Sequence, residues 1–256
     1  MAYGDELATL STAAKHGLRG CGRGRTTGAV MYAVLLILGA YFLGAVPFGV
    51  LIGRARGVDI REQGSRNIGA TNAGRVLGRK WGYLCLLLDI LKGLLPTLAA
   101  SFVLVERPVT AAMLLHWISV GLAAVLGHVF PIYLRFRGGK GVATTIGVAL
   151  GIFPYYTVAI GAALILYAVV RFVTGRVSLG SLTLAVAFPA AFFVYLRVDP
   201  EMSLAVFWPL GVVAVLLGLL IIVRHSGNIG RLLRGRETSV SRRINDTDED
   251  RAAQQG

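Results

Sequence analysis

The chain has 256 residues, of which 55% are hydrophobic and only 15% are charged, and its mean hydropathy is +0.68. A soluble domain does not bury so large a share of apolar side chains, so these figures exclude an ordinary soluble protein and indicate an integral membrane protein. The net charge of +13 favours basic loops that face the cytoplasm. The chain has only two cysteines, Cys21 and Cys85, which lack metal or redox spacing, and this excludes a disulfide framework.

Both ends of the chain are polar. Residues 1–30 contain no apolar segment, so they are not a separate signal peptide ahead of the first span. We interpret them as a basic extension that is either disordered or the product of a misassigned start, since Met31 directly precedes the first apolar run. Residues 238–256 are predicted to be a disordered cytoplasmic tail.

Five runs of spanning length lie between these ends, and a helix needs about 20 mostly apolar residues to cross a bilayer core of roughly 30 Å. They are residues 31–53, 81–105, 109–134, 177–196 and 202–223. Residues 142–170 form a further uncharged run, which Gly151 and Pro154 interrupt. This run is long for one helix and short for two.

The basic residues after Met31 decide between these two interpretations. If the run is two short helices that turn at Pro154, nearly all the loop cations fall on one side of the membrane. Only Arg107 and Arg197 fall on the other side, and Lys92 lies inside a span. A single helix would divide the cations almost evenly between the two sides. The positive-inside rule therefore predicts an all-α polytopic membrane protein with seven transmembrane helices, its N-terminus outside and its C-terminus in the cytoplasm.

This topology places four polar segments, residues 54–80, 135–141, 171–181 and 224–237, on the cytoplasmic face. Each combines cations with glycine and small hydroxyl or amide side chains, a mixture that suits a phosphate ester. The alternative, that the cations only fix the topology, explains a single arginine better than four such segments. The sequence RFRGGKG is not a P-loop, because Gly141 follows Lys140, but a lysine jointed by glycines beside a helix start can hold an anion.

Three of these polar regions carry a family resemblance: GVDIREQGSRNIGATNAGRVLG, LGHVFPIYLRFRGGKGVAT and RHSGNIGRLLRGRE. In this order they resemble the signature segments of the bacterial acyl-phosphate:glycerol-3-phosphate acyltransferases, and the resemblance runs from about residue 31 to residue 237. It implies a seven-helix domain over 31–237 in the cell membrane, with its active-site loops on the cytoplasmic face. The implied reaction transfers an acyl chain from acyl phosphate to the 1-hydroxyl of glycerol 3-phosphate. Its products are lysophosphatidic acid and inorganic phosphate, in the first step of phospholipid synthesis.

The resemblance also implies the partners and the site residues. The partners are the two substrates, the lipid bilayer and, functionally, the enzyme that makes acyl phosphate; no cofactor, metal or nucleic acid is expected. The implied catalytic residues are Ser65, Arg75 and His225. The implied contacts to phosphate or glycerol 3-phosphate are Lys140, Gly138, Gly139, Gly141, Ser181 and Asn228.

The identity of the general base stays open between His225 and a phosphate oxygen of the substrate, which we favour, and an acyl-enzyme on Ser65 is a further alternative. Two positions depart from the family pattern: Arg66 replaces a usual glycine, which adds bulk and charge beside Ser65, and Ala45 replaces a common serine.

Other polar residues have structural interpretations. Asp89 and Lys92 are three residues apart in the second span, and an ion pair is favoured over a substrate contact. His128 is interpreted as a helix-packing residue, and Glu237 as a brace for the last segment against a basic neighbour.

The alternative from another class is a carrier for an organic phosphate, since basic pockets also serve transporters. A carrier needs access from both faces, whereas the predicted cations gather on one.

Overall fold

The computed structural model describes residues 30–237, and all the regular secondary structure in that part of the chain is helical. The expectations for the basic extension before Val30 and for the tail 238–256 lie outside the described residues. The ten α-helices of the described part are α1 (30–45), α2 (Phe48–Ala55), α3 (Ala70–Leu77), α4 (Arg79–Leu104), α5 (Ala111–Val129), α6 (Val142–Gly151), α7 (Thr157–Thr174), α8 (Val177–Val198), α9 (Leu204–Arg224) and α10 (Ser226–Leu233).

Six segments of residues 30–237 are long and apolar enough to cross a membrane, which confirms the all-α polytopic class. Five of them match the predicted spans, and the sixth is α7. The predicted break in the long run is also confirmed, because Pro154 lies in the turn between α6 and α7. With 10 residues, α6 extends about 15 Å, half of a bilayer core, so the count of seven spans stays a prediction.

The helices pack around α5, which contacts α4, α6 and α9, while α7 and α8 form an antiparallel pair beside them. Large side chains such as Trp117, Tyr156 and Phe188 are fully buried at the centre. Two glycines bring α4 and α6 into backbone contact: a Cβ on Gly93 would lie 2.4 Å from the Thr144 carbonyl oxygen, and one on Gly147 would lie 2.0 Å from another carbonyl. Small residues therefore fix the α4–α6 wall.

The first span is broken at Pro47, which separates α1 from α2 and leaves the Val46 carbonyl with only a short-range backbone bond, from the Phe48 N–H at 3.1 Å. Lys92 Nζ donates to that oxygen at 3.0 Å and lies 2.7 Å from Asp89 Oδ1. The predicted ion pair is therefore confirmed, and it compensates both a buried charge and a helix break.

Candidate active site

A cavity of about 770 Å³ opens at the end of the bundle where the four polar segments meet. Its polar part is lined by residues of the first loop and α3, of the glycine-rich segment, of the start of α8 and of α10. Its apolar part continues between α4, α6 and α7 and is lined by Leu86, Ile90, Ile146, Leu150 and Leu164. The cavity can therefore accommodate a ligand with a polar head and an apolar chain.

Seven of the nine predicted site residues line this cavity. They are Ser65, Arg75, Lys140, Gly141, Ser181, His225 and Asn228. The other two, Gly138 and Gly139, precede Lys140 and are not among the residues that line the cavity. The structure thus brings together side chains that lie far apart in the sequence.

A chain of hydrogen bonds connects Lys140 to the end of the last polar segment. Lys140 Nζ donates to Asn228 Oδ1 at 2.5 Å, Asn228 Nδ2 donates to Glu237 Oε1 at 2.6 Å, and Arg231 Nε donates to Glu237 Oε2 at 2.7 Å. The predicted brace between Glu237 and a basic neighbour is therefore confirmed. It fixes the orientation of the Asn228 amide, because the carboxylate requires the NH₂ group on its side.

Burial is the main reason why the pKa of Lys140 is lowered to about 8; the charge of Glu237 opposes this shift, and the charges of three nearby arginines add to it. The ammonium is therefore still protonated at neutral pH, but its charge is poorly solvated. Such a group gains more from an approaching anion than an exposed lysine does.

His225 caps α9 and is almost fully buried. Its Nδ1 lies 2.8 Å from the Ile221 carbonyl oxygen, which can only accept, so Nδ1 carries the proton and Nε2 is left as the acceptor. Burial, and then the charge of Lys140, lowers the pKa of His225 to about 4. At neutral pH this side chain is therefore a neutral imidazole and a weak base.

The first loop is held by Asn72, which is 1% exposed. Asn72 Oδ1 accepts the Ser65 backbone N–H at 2.7 Å, and Nδ2 donates to the Ile60 carbonyl at 2.8 Å and to the Gln63 carbonyl at 3.2 Å. Arg66 has a φ of 59°, a left-handed conformation that favours glycine. The departure noted in the sequence therefore falls on a position whose backbone suits glycine.

Three helices begin at the cavity. The starts of α3 (Gly69 to Thr71), α6 (Gly141 to Ala143) and α8 (Val177 and Ser178) all belong to its lining. Helix N-termini present backbone N–H groups and partial positive charge, so their convergence favours an anion at the polar end.

Sequence reasoning missed several residues of the site. Ser178 is buried and lines the cavity one helical turn before Ser181, a spacing that could have drawn attention to it. Thr71, Asn72 and Arg231 also line it, and the side chain of Asn72 holds the first loop. No local signal distinguishes Asn72 from the other amides of that loop.

The sequence profile of the family described as "Glycerol-3-phosphate acyltransferase" matches residues 34–235. The chain belongs to this family. The chain is also similar in sequence to glycerol-3-phosphate acyltransferases from two bacteria. The Geobacter sulfurreducens protein is 44% identical over 80% of this chain and 95% of its own length, and the Geotalea daltonii protein is 41% identical over 82% and 98%. The protein is therefore an acyltransferase.

Two crystal structures of PlsY (YgiH), an integral membrane glycerol 3-phosphate acyltransferase, are similar to this acyltransferase over 81% of its chain and 95% of theirs. The glycerol 3-phosphate form has a TM-score of 0.68 at 38% identity, and the lysophosphatidic acid form has 0.67 at 37%. This similarity makes the acyltransferase an integral membrane protein of the same fold.

Proposed function

We propose that the enzyme transfers an acyl chain from acyl phosphate to the 1-hydroxyl of glycerol 3-phosphate and forms lysophosphatidic acid and inorganic phosphate. The observation that carries this proposal is the shape of the cavity, whose cationic end continues into an apolar groove. An acyl phosphate has the same two parts, and glycerol 3-phosphate adds a second phosphate to the polar end. The reaction would be the first step of phospholipid synthesis.

The polar residues would hold the two phosphates. Arg75 can donate two parallel hydrogen bonds to phosphate oxygens, Lys140 supplies a point charge, and Ser65 and Ser181 supply hydroxyl donors. Asn228 would act mainly through Lys140, which it contacts. Gly141 would let the start of α6 approach the anion closely, since it begins that helix with a φ of 86°.

The chemical step needs alignment more than activation, because an acyl phosphate is already reactive. The glycerol oxygen would bond to the acyl carbonyl carbon, the bond from that carbon to the bridging phosphate oxygen would break, and the hydroxyl proton would leave with the phosphate. A substrate phosphate oxygen is the favoured base, since His225 with a pKa of about 4 is a weak one. If His225→Gln bound both substrates but lost most of its activity, and its pH profile no longer showed the fall at low pH that protonation of a base causes, a histidine base would replace this proposal.

The test supplies the purified enzyme in detergent with palmitoyl phosphate and glycerol 3-phosphate and follows phosphate release and lysophosphatidic acid. Product from palmitoyl phosphate but not from palmitoyl-coenzyme A would support the donor. Arg75→Ala should abolish product, while Arg107→Ala, an exposed arginine distant in sequence from the motifs, should not. No product from folded protein, with counterflow of glycerol 3-phosphate in proteoliposomes, would favour a carrier instead.

We further propose seven spans, with the N-terminus outside and the cavity open to the cytoplasm, where an enzyme that makes acyl phosphate could supply the donor. Cysteines introduced one at a time into a Cys21→Ser background, in which the remaining Cys85 is fully buried, can test this proposal in intact cells. Arg197→Cys should react with an impermeant maleimide, whereas Arg137→Cys should react only after permeabilisation. The opposite result would invert the topology.

A further inference from the structure

The side chain of His128 packs against the backbone that carries Lys140. His128 lies at the end of α5, is 4% exposed and presents its ring edge to Gly139. A Cβ on Gly139 would lie 2.1 Å from His128 Nε2, which is far inside van der Waals contact. Position 139 is therefore a glycine because the imidazole occupies the space that a side chain would need.

Backbone hydrogen bonds hold the same segment from two helices. The Gly139 N–H donates to the His128 carbonyl oxygen at 3.0 Å, which ties the segment to the end of α5. From the end of α9, Arg224 Nη2 donates to the Gly138 carbonyl at 3.0 Å and Nε donates to the Gly139 carbonyl at 3.2 Å. Lys140 directly follows the two glycines that these hydrogen bonds hold.

On its other side the imidazole faces the buried ion pair of α4. His128 Nδ1 lies 3.7 Å from Asp89 Oδ1, and Asp89 is itself held by Lys92 at 2.7 Å. The ring therefore lies between α4 and the glycine pair, at a wall of the cavity that His128 and Asp89 both line, so a displacement of one surface is passed to the other. Close-packed interiors transmit such displacements because they contain little free space.

We propose that His128 is a positioning residue. By its contact with Gly139 it sets the location of the Lys140 ammonium and therefore the affinity for glycerol 3-phosphate. This inference rests on the proposed role of Lys140 as a ligand of that substrate. The imidazole itself takes no proton in this role.

The test is a double-mutant cycle between positions 128 and 139. Gly139→Ala should raise the KM for glycerol 3-phosphate at least tenfold and leave the KM for the acyl donor within about twofold. His128→Ala should raise the first KM less. The double variant should recover much of the loss caused by Gly139→Ala, because removal of the imidazole makes room for the methyl group.

Gly138→Ala is the matched control, since its Cβ would lie 2.2 Å from the His128 backbone oxygen and 2.4 Å from Pro131 Cδ. Truncation of the His128 side chain cannot relieve these contacts, so the pair at 128 and 138 should show no recovery. Additive losses at 128 and 139, or equal recovery at 138 and 139, would overturn the inference.

Two further measurements separate the possible failures. If Gly139→Ala does not fold, His128→Ala alone decides: equal changes in both KM values would show a merely structural role and overturn the inference. Lys140→Ala tests the underlying assumption. If it leaves the KM for glycerol 3-phosphate unchanged while the cycle shows recovery, the proposed role of Lys140 is wrong although the packing contact stands.

Discussion

The activity with glycerol 3-phosphate is expected to fall as the pH rises through about 8, because Lys140 loses its proton there. Burial lowers the pKa of this lysine to about 8 in the free enzyme, so its charge is present below that pH and lost above it. The kcat/KM profile reports groups of the free enzyme. Bound phosphate raises the pKa of Lys140, so the limb in kcat should lie at higher pH.

The size of the effect follows from the titration of a single group. At one pH unit above the pKa roughly a tenth of the lysines remain charged, so kcat/KM should fall about tenfold per pH unit above pH 9. The phosphate of the substrate does not titrate in this pH range, since the second pKa of a phosphate monoester is about 6.

Lys140→Arg is the decisive variant, because a guanidinium stays charged throughout the range. It should lower kcat/KM at pH 7, since the shape of the group differs, but it should remove the limb near 8. His225→Gln is the control and should keep the limb, because His225, with its pKa of about 4, is already neutral there. A limb near 8 that persists in Lys140→Arg would refute the assignment. Phosphate release at saturating palmitoyl phosphate provides the assay.

The remaining predictions concern stability in detergent, measured as the midpoint of thermal unfolding. Arg66→Gly should raise the midpoint slightly, while activity stays within about threefold. Relief of the left-handed conformation stabilises the fold by about 1–2 kcal/mol, which exceeds the entropic cost of a glycine in the unfolded chain. A lower midpoint would contradict this prediction. Asp89→Asn should destabilise the protein by about 3–5 kcal/mol because Lys92 is left as a buried unpaired charge. Adding Lys92→Met should restore part of the loss, and failure to do so would show that the ion pair is not the cause.

Much of the fold could be predicted because its signals are local. Long uncharged runs indicate spans, a proline interrupts one of them, and the residues of an ion pair three positions apart must share a helix face. Part of the candidate site could be predicted for the same reason, because segments of small polar and basic residues directly follow a span. Lys140 stood out in its glycine-rich basic loop, Asn228 was implied by the family resemblance, and the structure places both on one cavity.

The contacts that shape the site could not be predicted in this way. Gly139 reads as a flexible joint in the sequence, whereas the structure shows it pressed against an imidazole from the preceding helix. Asn72 reads as one amide among several, yet its side chain holds three backbone groups of the first loop. Such contacts depend on the angle at which helices and loops meet, and one sequence does not encode that angle in any short pattern.

The position of Asn228 explains how a buried lysine can stay available for a phosphate. A carboxylate in direct contact with Lys140 would compete with the substrate, but Asn228 stands between Lys140 and Glu237, so the carboxylate offsets part of the burial without occupying the ammonium. Asn228→Ala should lower kcat/KM for glycerol 3-phosphate about 10- to 150-fold, as expected for one charge-assisted hydrogen bond of about 1.5–3 kcal/mol. Asn228→Asp should be worse although it can still contact Lys140, because its charge takes the place of the phosphate and repels Glu237. If steady-state kinetics at pH 7 showed the aspartate variant to be the more active of the two, the amide would not be the spacer that this arrangement requires.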